Sequence, residues 1–100
     1  MSSAPGSGSV DGVVRRTVTI ANERGLHARA AAKFVTVAGG YDAEVAVRKD
    51  GATVSGLSIM GLMMLAAGPG CEIELVARGP QAGPAVDALT RLVAARFEEN

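Results

Sequence analysis

Residues 25–29 read Gly-Leu-His-Ala-Arg and set the single histidine of the chain, His27, immediately before an apolar run from Ala28 to Ala38. A helix start presents backbone N–H groups without intrahelical partners, together with the positive end of the macrodipole. It therefore favours bound anions, phosphate above all. Imidazole as a class keeps a neutral, nucleophilic fraction near pH 7, and Arg29 adds a fixed cation two residues on. A nucleophile, an anion cradle and a cation this close together suggest a histidine that carries a phosphoryl group. The competing reading is a capping or surface histidine with no chemistry.

The elements that must position this motif are legible on either side of it. Val14, Val18 and Ile20 alternate with Thr17 and Thr19, which predicts a strand over 14–20. Arg16 interrupts its inner face and is expected near the strand's end. Asn22 to Gly25 forms a turn into His27. Over Ala28 to Ala38 the polar residues are Arg29, Lys33 and Thr36, spaced i, i+4, i+7, a single helical stripe. Gly39-Gly40 ends that helix.

Further on, Ala43 to Lys49 alternates, with Ala43, Val45 and Val47 inward and Glu44 and Arg48 outward. Asp50-Gly51 is a hairpin turn, and Ala52 to Gly56 returns as a short strand. Ser58 to Leu65 has helical character, with Ser58 placed to cap it, and Gly68-Pro69-Gly70 closes it. Cys71, Ile73, Leu75 and Ala77 alternate with Glu72 and Glu74 as the next strand. Gly79 to Pro84 is expected as a loop. Ala85 to Phe97 is predicted as an amphipathic helix with Val86, Leu89, Val93 and Phe97 in one stripe. One-sided strands imply an antiparallel sheet with a solvated face. The helices cover the other face, giving a two-layer α+β domain.

Composition narrows the function. One hundred residues allow one domain. Residues 1–12, rich in Ser, Gly, Ala and Pro, read as a flexible tail, and residues 13–100 as the domain. Aromatic residues are 3% of the chain and there is no Trp, so the stacking platforms used for single-stranded nucleic acid are lacking. Ten Lys and Arg against ten Asp and Glu leave no net basic field. Glu44, Glu72 and Glu74 on the outer sheet face also speak against an RNA-binding module of similar architecture. The one cysteine, Cys71, forms no disulfide within the chain and no thiolate metal cluster; it is expected as a buried core thiol. Neither a metal site nor a cofactor is expected. There is no signal-peptide pattern, and no apolar stretch approaches the ~20 residues of a membrane span, so a cytoplasmic protein without membrane insertion is expected.

With Ser58-Ile59-Met60-Gly61-Leu62 before the last strand, this order of elements and the His27 motif resemble HPr, the histidine phosphocarrier family of the bacterial phosphotransferase system. The resemblance runs from about Val13 onward. It implies an open-faced β-sandwich, a four-stranded antiparallel sheet with three helices on one face. It implies that His27 accepts a phosphoryl group at Nδ1 from phospho-enzyme I and passes it to a histidine of an enzyme IIA domain, with Arg29 stabilising charge. Such a carrier has no autonomous catalytic activity and is expected as a monomer. Two positions depart from the family pattern. Ala30 stands where Pro is common, at little cost because both suit a first helical turn. Arg24 stands where Asn is common, adding a cation beside the site.

In some family members the serine matching Ser58 is phosphorylated by HPr kinase/phosphorylase. That modification would put negative charge beside the docking surface. An alternative is therefore a regulatory relative acting mainly through protein binding and Ser58. The plainer alternative is that Ser58 is only a cap. Met60, Met63 and Met64 crowd one short helix with Ile59 and Leu62. Ile59 and Leu62 are expected in the core, while some methionines form an exposed, adaptable patch for partners. Arg24, Lys33, Met60, Gly61 and Met64 are the partner-binding candidates, with Lys33 equally readable as part of a solvated face.

Overall fold

The computed structural model describes residues 12–99. All of the expected tail except Gly12 lies outside the described residues. The elements run β1 (Val13–Thr19), α1 (Ala28–Gly39), β2 (Glu44–Lys49), β3 (Ala52–Ser55), α2 (Ile59–Met64), β4 (Glu72–Arg78) and α3 (Ala82–Ala94), followed by a short turn at Arg96–Glu98. The four strands form one sheet in the order β1-β4-β2-β3, with every neighbouring pair antiparallel. The helices lie on one face. This is the open-faced sandwich that the alternation and the resemblance imply.

The core forms where the apolar stripes meet. Val18, Val45, Val47, Ile73, Leu75 and Ala77 supply the inner face of the sheet. Phe34 of α1, Leu62 of α2, and Val86, Leu89 and Val93 of α3 close over it, all buried. The other face keeps Arg15, Thr17, Glu44, Arg48 and Glu72 exposed. The β2–β3 hairpin pairs Lys49 with Ala52 across Asp50 and Gly51. Both turn residues have positive φ, 51° and 83°, and Asp-Gly is the dipeptide that tolerates this in a two-residue hairpin.

Several expectations need correction. Arg16 does not sit at a strand end. It lies mid-β1 on the helix-covered side, and its guanidinium reaches out to α3, 2.9 Å from Asp87 Oδ1 and 3.3 Å from Thr90 Oγ1. A long stem with a polar tip lets it line the core edge while its charge stays paired. Ala82, Gly83 and Pro84 belong to α3 rather than to a loop. Proline is tolerated in a first helical turn because its missing N–H has no partner there. Cys71 is half-buried, just before β4, rather than a fully buried core thiol. Ile59 is 39% exposed, so of the pair expected inside only Leu62 is core. The last helix stops at Ala94 instead of continuing through Phe97. The chain then takes positive φ at Arg96, Phe97 and Glu98, yet still buries the Phe97 ring.

Candidate functional site

His27 is the N-cap of α1. Its backbone is extended, its carbonyl accepts from Ala31 N–H at 2.8 Å, and its Nδ1 accepts from Arg29 N–H at 3.2 Å. The ring thus takes the place usually held by a serine or aspartate oxygen. The loop before it is pinned at several points. Gly25 N–H donates to Asn22 O at 3.2 Å, and the buried Asn22 amide donates back to Gly25 O at 2.9 Å. Leu26 N–H donates to Ala67 O at 3.0 Å, tying the loop to the segment after α2. Ile20 and Gly70-Cys71 exchange backbone bonds of 2.8 Å, extending the β1–β4 pairing up to the loop. The imidazole therefore rides on a braced turn.

Its surroundings are cationic on one side and acidic on the other. Arg24, His27, Arg29, Lys33, Glu98 and Glu99 line a cleft of about 200 Å³. That is smaller than the ~300–1,000 Å³ of most metabolite pockets, but roomy for a phosphoryl group. Glu99 Oε2 lies 3.3 Å from His27 Nε2, and Glu99 Oε1 accepts from Arg24 N–H at 3.4 Å. Burial works to raise the pKa of Glu99. The Arg24 N–H, the Asn22 amide and the charges of His27 and Arg24 outweigh it, and hold the carboxyl below its ordinary 4.5. Lys33 points to the same segment, with Nζ donating to Phe97 O at 2.8 Å and standing 3.5 Å from Glu98 Oε1.

On the other side of the ring, a shallow groove runs from Arg24, Leu26 and His27 to Met63 and Ala67. Beyond it the methionines stand out from α2, with Met60 71% and Met64 77% exposed, beside exposed Leu57. Gly61 faces inward instead. A Cβ there would meet Ser58 Oγ and Val54 Cβ at 3.0 Å, so glycine lets the first turn of α2 close on β3. Ser58 caps α2, its Oγ accepting from Gly61 N–H at 2.9 Å. Replacing Ser58 with alanine is expected to destabilise the fold by about 1 kcal/mol, read as a lower urea midpoint with an unchanged slope. A value near zero would remove the capping role.

Sequence reasoning missed Glu99 and the Arg96–Glu98 turn. Three consecutive non-glycine residues at positive φ are uncommon, and the i, i+4 continuation from Val93 to Phe97 gave no sign of the break.

A family profile described as "PTS HPr component phosphorylation site" matches residues 14–95. The chain belongs to the HPr phosphocarrier family. The phosphocarrier protein HPr of Cupriavidus necator is 46% identical over 87 residues, covering 87% of this chain and 98% of that protein. The HPr of Pseudomonas aeruginosa is 52% identical over 83 residues, covering 82% of this chain and 92% of that protein. Among solved structures, HPr-C-His from Thermoanaerobacter tengcongensis superimposes with a TM-score of 0.82 at 38% identity, over 86% of this chain and 97% of that one. Within this HPr fold, Leu26, His27 and Met63 share one surface groove, so the histidine and the methionine-bearing helix present a continuous face. Among the described residues, no helix is long and apolar enough to cross a membrane.

Proposed function

We propose that this chain is a cytoplasmic, monomeric phosphocarrier of the phosphotransferase system. It takes a phosphoryl group from phospho-enzyme I onto Nδ1 of His27 and hands it to a histidine of an enzyme IIA domain. The observation that carries this reading is the imidazole standing as the N-cap of α1, its Nδ1 lone pair turned to the first-turn amides.

The chemistry follows from that geometry. The Nδ1 lone pair attacks phosphorus in line with the bond that breaks in the donor. The Arg29 N–H that Nδ1 holds at rest is then free for a phosphoryl oxygen, and the helix dipole adds about 0.3–1 kcal/mol in favour of the bound anion. The Arg29 guanidinium offsets charge spread over the equatorial oxygens during transfer. The remainder is positioning, supplied half by the braced turn and half by the partner's own site.

Met60 and Met64 serve as adaptable docking contacts for both partners, with Arg24 beside them. Exchanging Met60 and Met64 together for glutamate is expected to slow phosphoryl transfer at subsaturating enzyme I about tenfold, the effect of losing an interface contact worth more than 1 kcal/mol. An unchanged rate would place docking elsewhere. Ser58 is the site for regulation by HPr kinase/phosphorylase. A phosphate there adds about −1.5 to −2 of charge at the edge of the methionine surface and weakens docking of an acidic partner.

Incubation with enzyme I and phosphoenolpyruvate tests the reading. The expected product carries one acid-labile phosphate, with a ³¹P resonance typical of phosphohistidine and a modified His27 by peptide mapping. Absence of label from a folded protein would overturn it.

A further inference from the structure

The segment after α3 has no part in the scheme above, yet it ends against the reacting ring. Arg96, Phe97 and Glu98 hold φ values of 58°, 54° and 58°. The left-handed region is unfavourable for a non-glycine residue and persists where the surroundings over-determine it. Here the Phe97 ring, 2% exposed, is locked in the core, and Lys33 Nζ grips the Phe97 carbonyl at 2.8 Å. The turn thereby delivers Glu99 to His27. The two side chains are each 17% exposed, with Oε2 3.3 Å from Nε2. That buried oxygen makes no hydrogen bond to any described group, so its approach to His27 is an ion-pair contact and not a hydrogen bond.

The opposite ring nitrogen sets the rest. Nδ1 accepts from Arg29 N–H, so in the neutral ring Nδ1 carries the lone pair and the single proton sits on Nε2, the nitrogen that lies 3.3 Å from Glu99 Oε2. We propose that Glu99 is a positioning residue for phosphoryl transfer, its carboxylate standing as counter-charge on the Nε2 side of His27 while Nδ1 takes up and releases the phosphoryl group. This rests on the reading of His27 as the acceptor.

The step balances without moving a proton. The Nδ1 pair forms the new N–P bond, the bond from phosphorus to the donor's histidine nitrogen breaks, and that pair returns to the donor. His27 becomes a phosphoimidazolium with its proton still on Nε2 and its positive charge against Glu99. In the onward step the ring departs as neutral imidazole. Without the Nε2 proton it would depart as an anion, a far poorer leaving group. The other charged groups around the ring are Arg24, Arg29 and Lys33, which oppose a cationic ring, and Glu98, which faces Lys33. Glu99 is the counter-charge at Nε2.

The full chain, Glu99→Gln and Glu99→Ala are each phosphorylated with enzyme I and phosphoenolpyruvate. Spontaneous phosphate loss is followed by ³¹P NMR from pH 5 to 9, and the His27 ring nitrogens by ¹⁵N NMR before and after labelling. Because the protonated phosphohistidine is the labile form, both variants are expected to shift the midpoint of the hydrolysis profile about half to one pH unit lower. The ¹⁵N shifts of Nε2 should move in parallel, with little change in the urea midpoint. Superimposable profiles in labelled wild type and variants would overturn the role of Glu99 and leave the carrier reading standing. A wild type that takes no label would overturn the carrier reading. Ring shifts of the unlabelled protein indifferent to Glu99→Gln would then dismiss the contact as well.

Discussion

Replacing His27 with alanine is expected to abolish phosphoryl uptake from enzyme I, a loss of roughly a thousandfold or more, because His27 is the single imidazole of the chain. The substitution also removes the Nδ1 bond to Arg29 N–H, and loss of an N-cap costs about 0.5–2 kcal/mol. Lost activity from alanine alone would therefore mix chemistry with folding. Asparagine separates them. Its side-chain oxygen is among the best N-caps, so His27→Asn should unfold within a few degrees of wild type and still take no label. Label on either variant would move the acceptor elsewhere.

Gly25→Ala is expected to be the most damaging single substitution for stability near the site. Gly25 has a φ of +64°, and an added Cβ would collide with the Ala67 carbonyl oxygen and lie 2.9 Å from Gly68 Cα. Relaxation is blocked, because the Asn22 bonds and the Leu26 N–H to Ala67 O bond clamp the turn on both sides. The left-handed penalty and the overlap together should cost about 2–4 kcal/mol, measured by urea denaturation. Gly51 provides the control. Its φ is +83°, but nothing lies within 4 Å of its Cβ position, so Gly51→Ala should lose only about 1–2 kcal/mol. Equal losses at the two glycines would mean that the contact with Ala67 contributes nothing.

The acidic side of the site carries its own pH dependence. The pKa of Glu99 is held below the ordinary 4.5, so its contribution to stability is fully present above that value and is lost as the pH falls through the lower folded value. The Arg96–Glu99 segment should therefore loosen in acid before the sheet does.

Where periodicity is strong, sequence and structure agree. Ile73, Leu75 and Ala77 alternate cleanly, and β4 buries all three. The Arg29–Lys33–Thr36 stripe places α1 to within a residue of Ala28–Gly39. The candidate site was legible because its chemistry is local, with His27, Arg29 and the helix start adjacent in sequence. The departures arise where distant groups decide the outcome. Arg16 reads as a flaw in β1 until Asp87 and Thr90 of α3 are seen to receive it. Ile59 matches Leu62 in hydropathy, but only one side of α2 meets the sheet. Glu99 is one more exposed acid by sequence, and its place beside His27 depends on a backbone reversal anchored by Lys33, far away along the chain.

The strand order has a consequence for when the acceptor comes into being. Among the described strands β1 pairs only with β4, and the turn that carries His27 hangs from that seam through Ile20, Gly70, Cys71 and Ala67. Such non-local closure comes late and slowly in folding. A nascent or partly unfolded chain already contains the imidazole but lacks the frame that orients it, so under the proposed carrier role chemical competence arrives with the completed sheet.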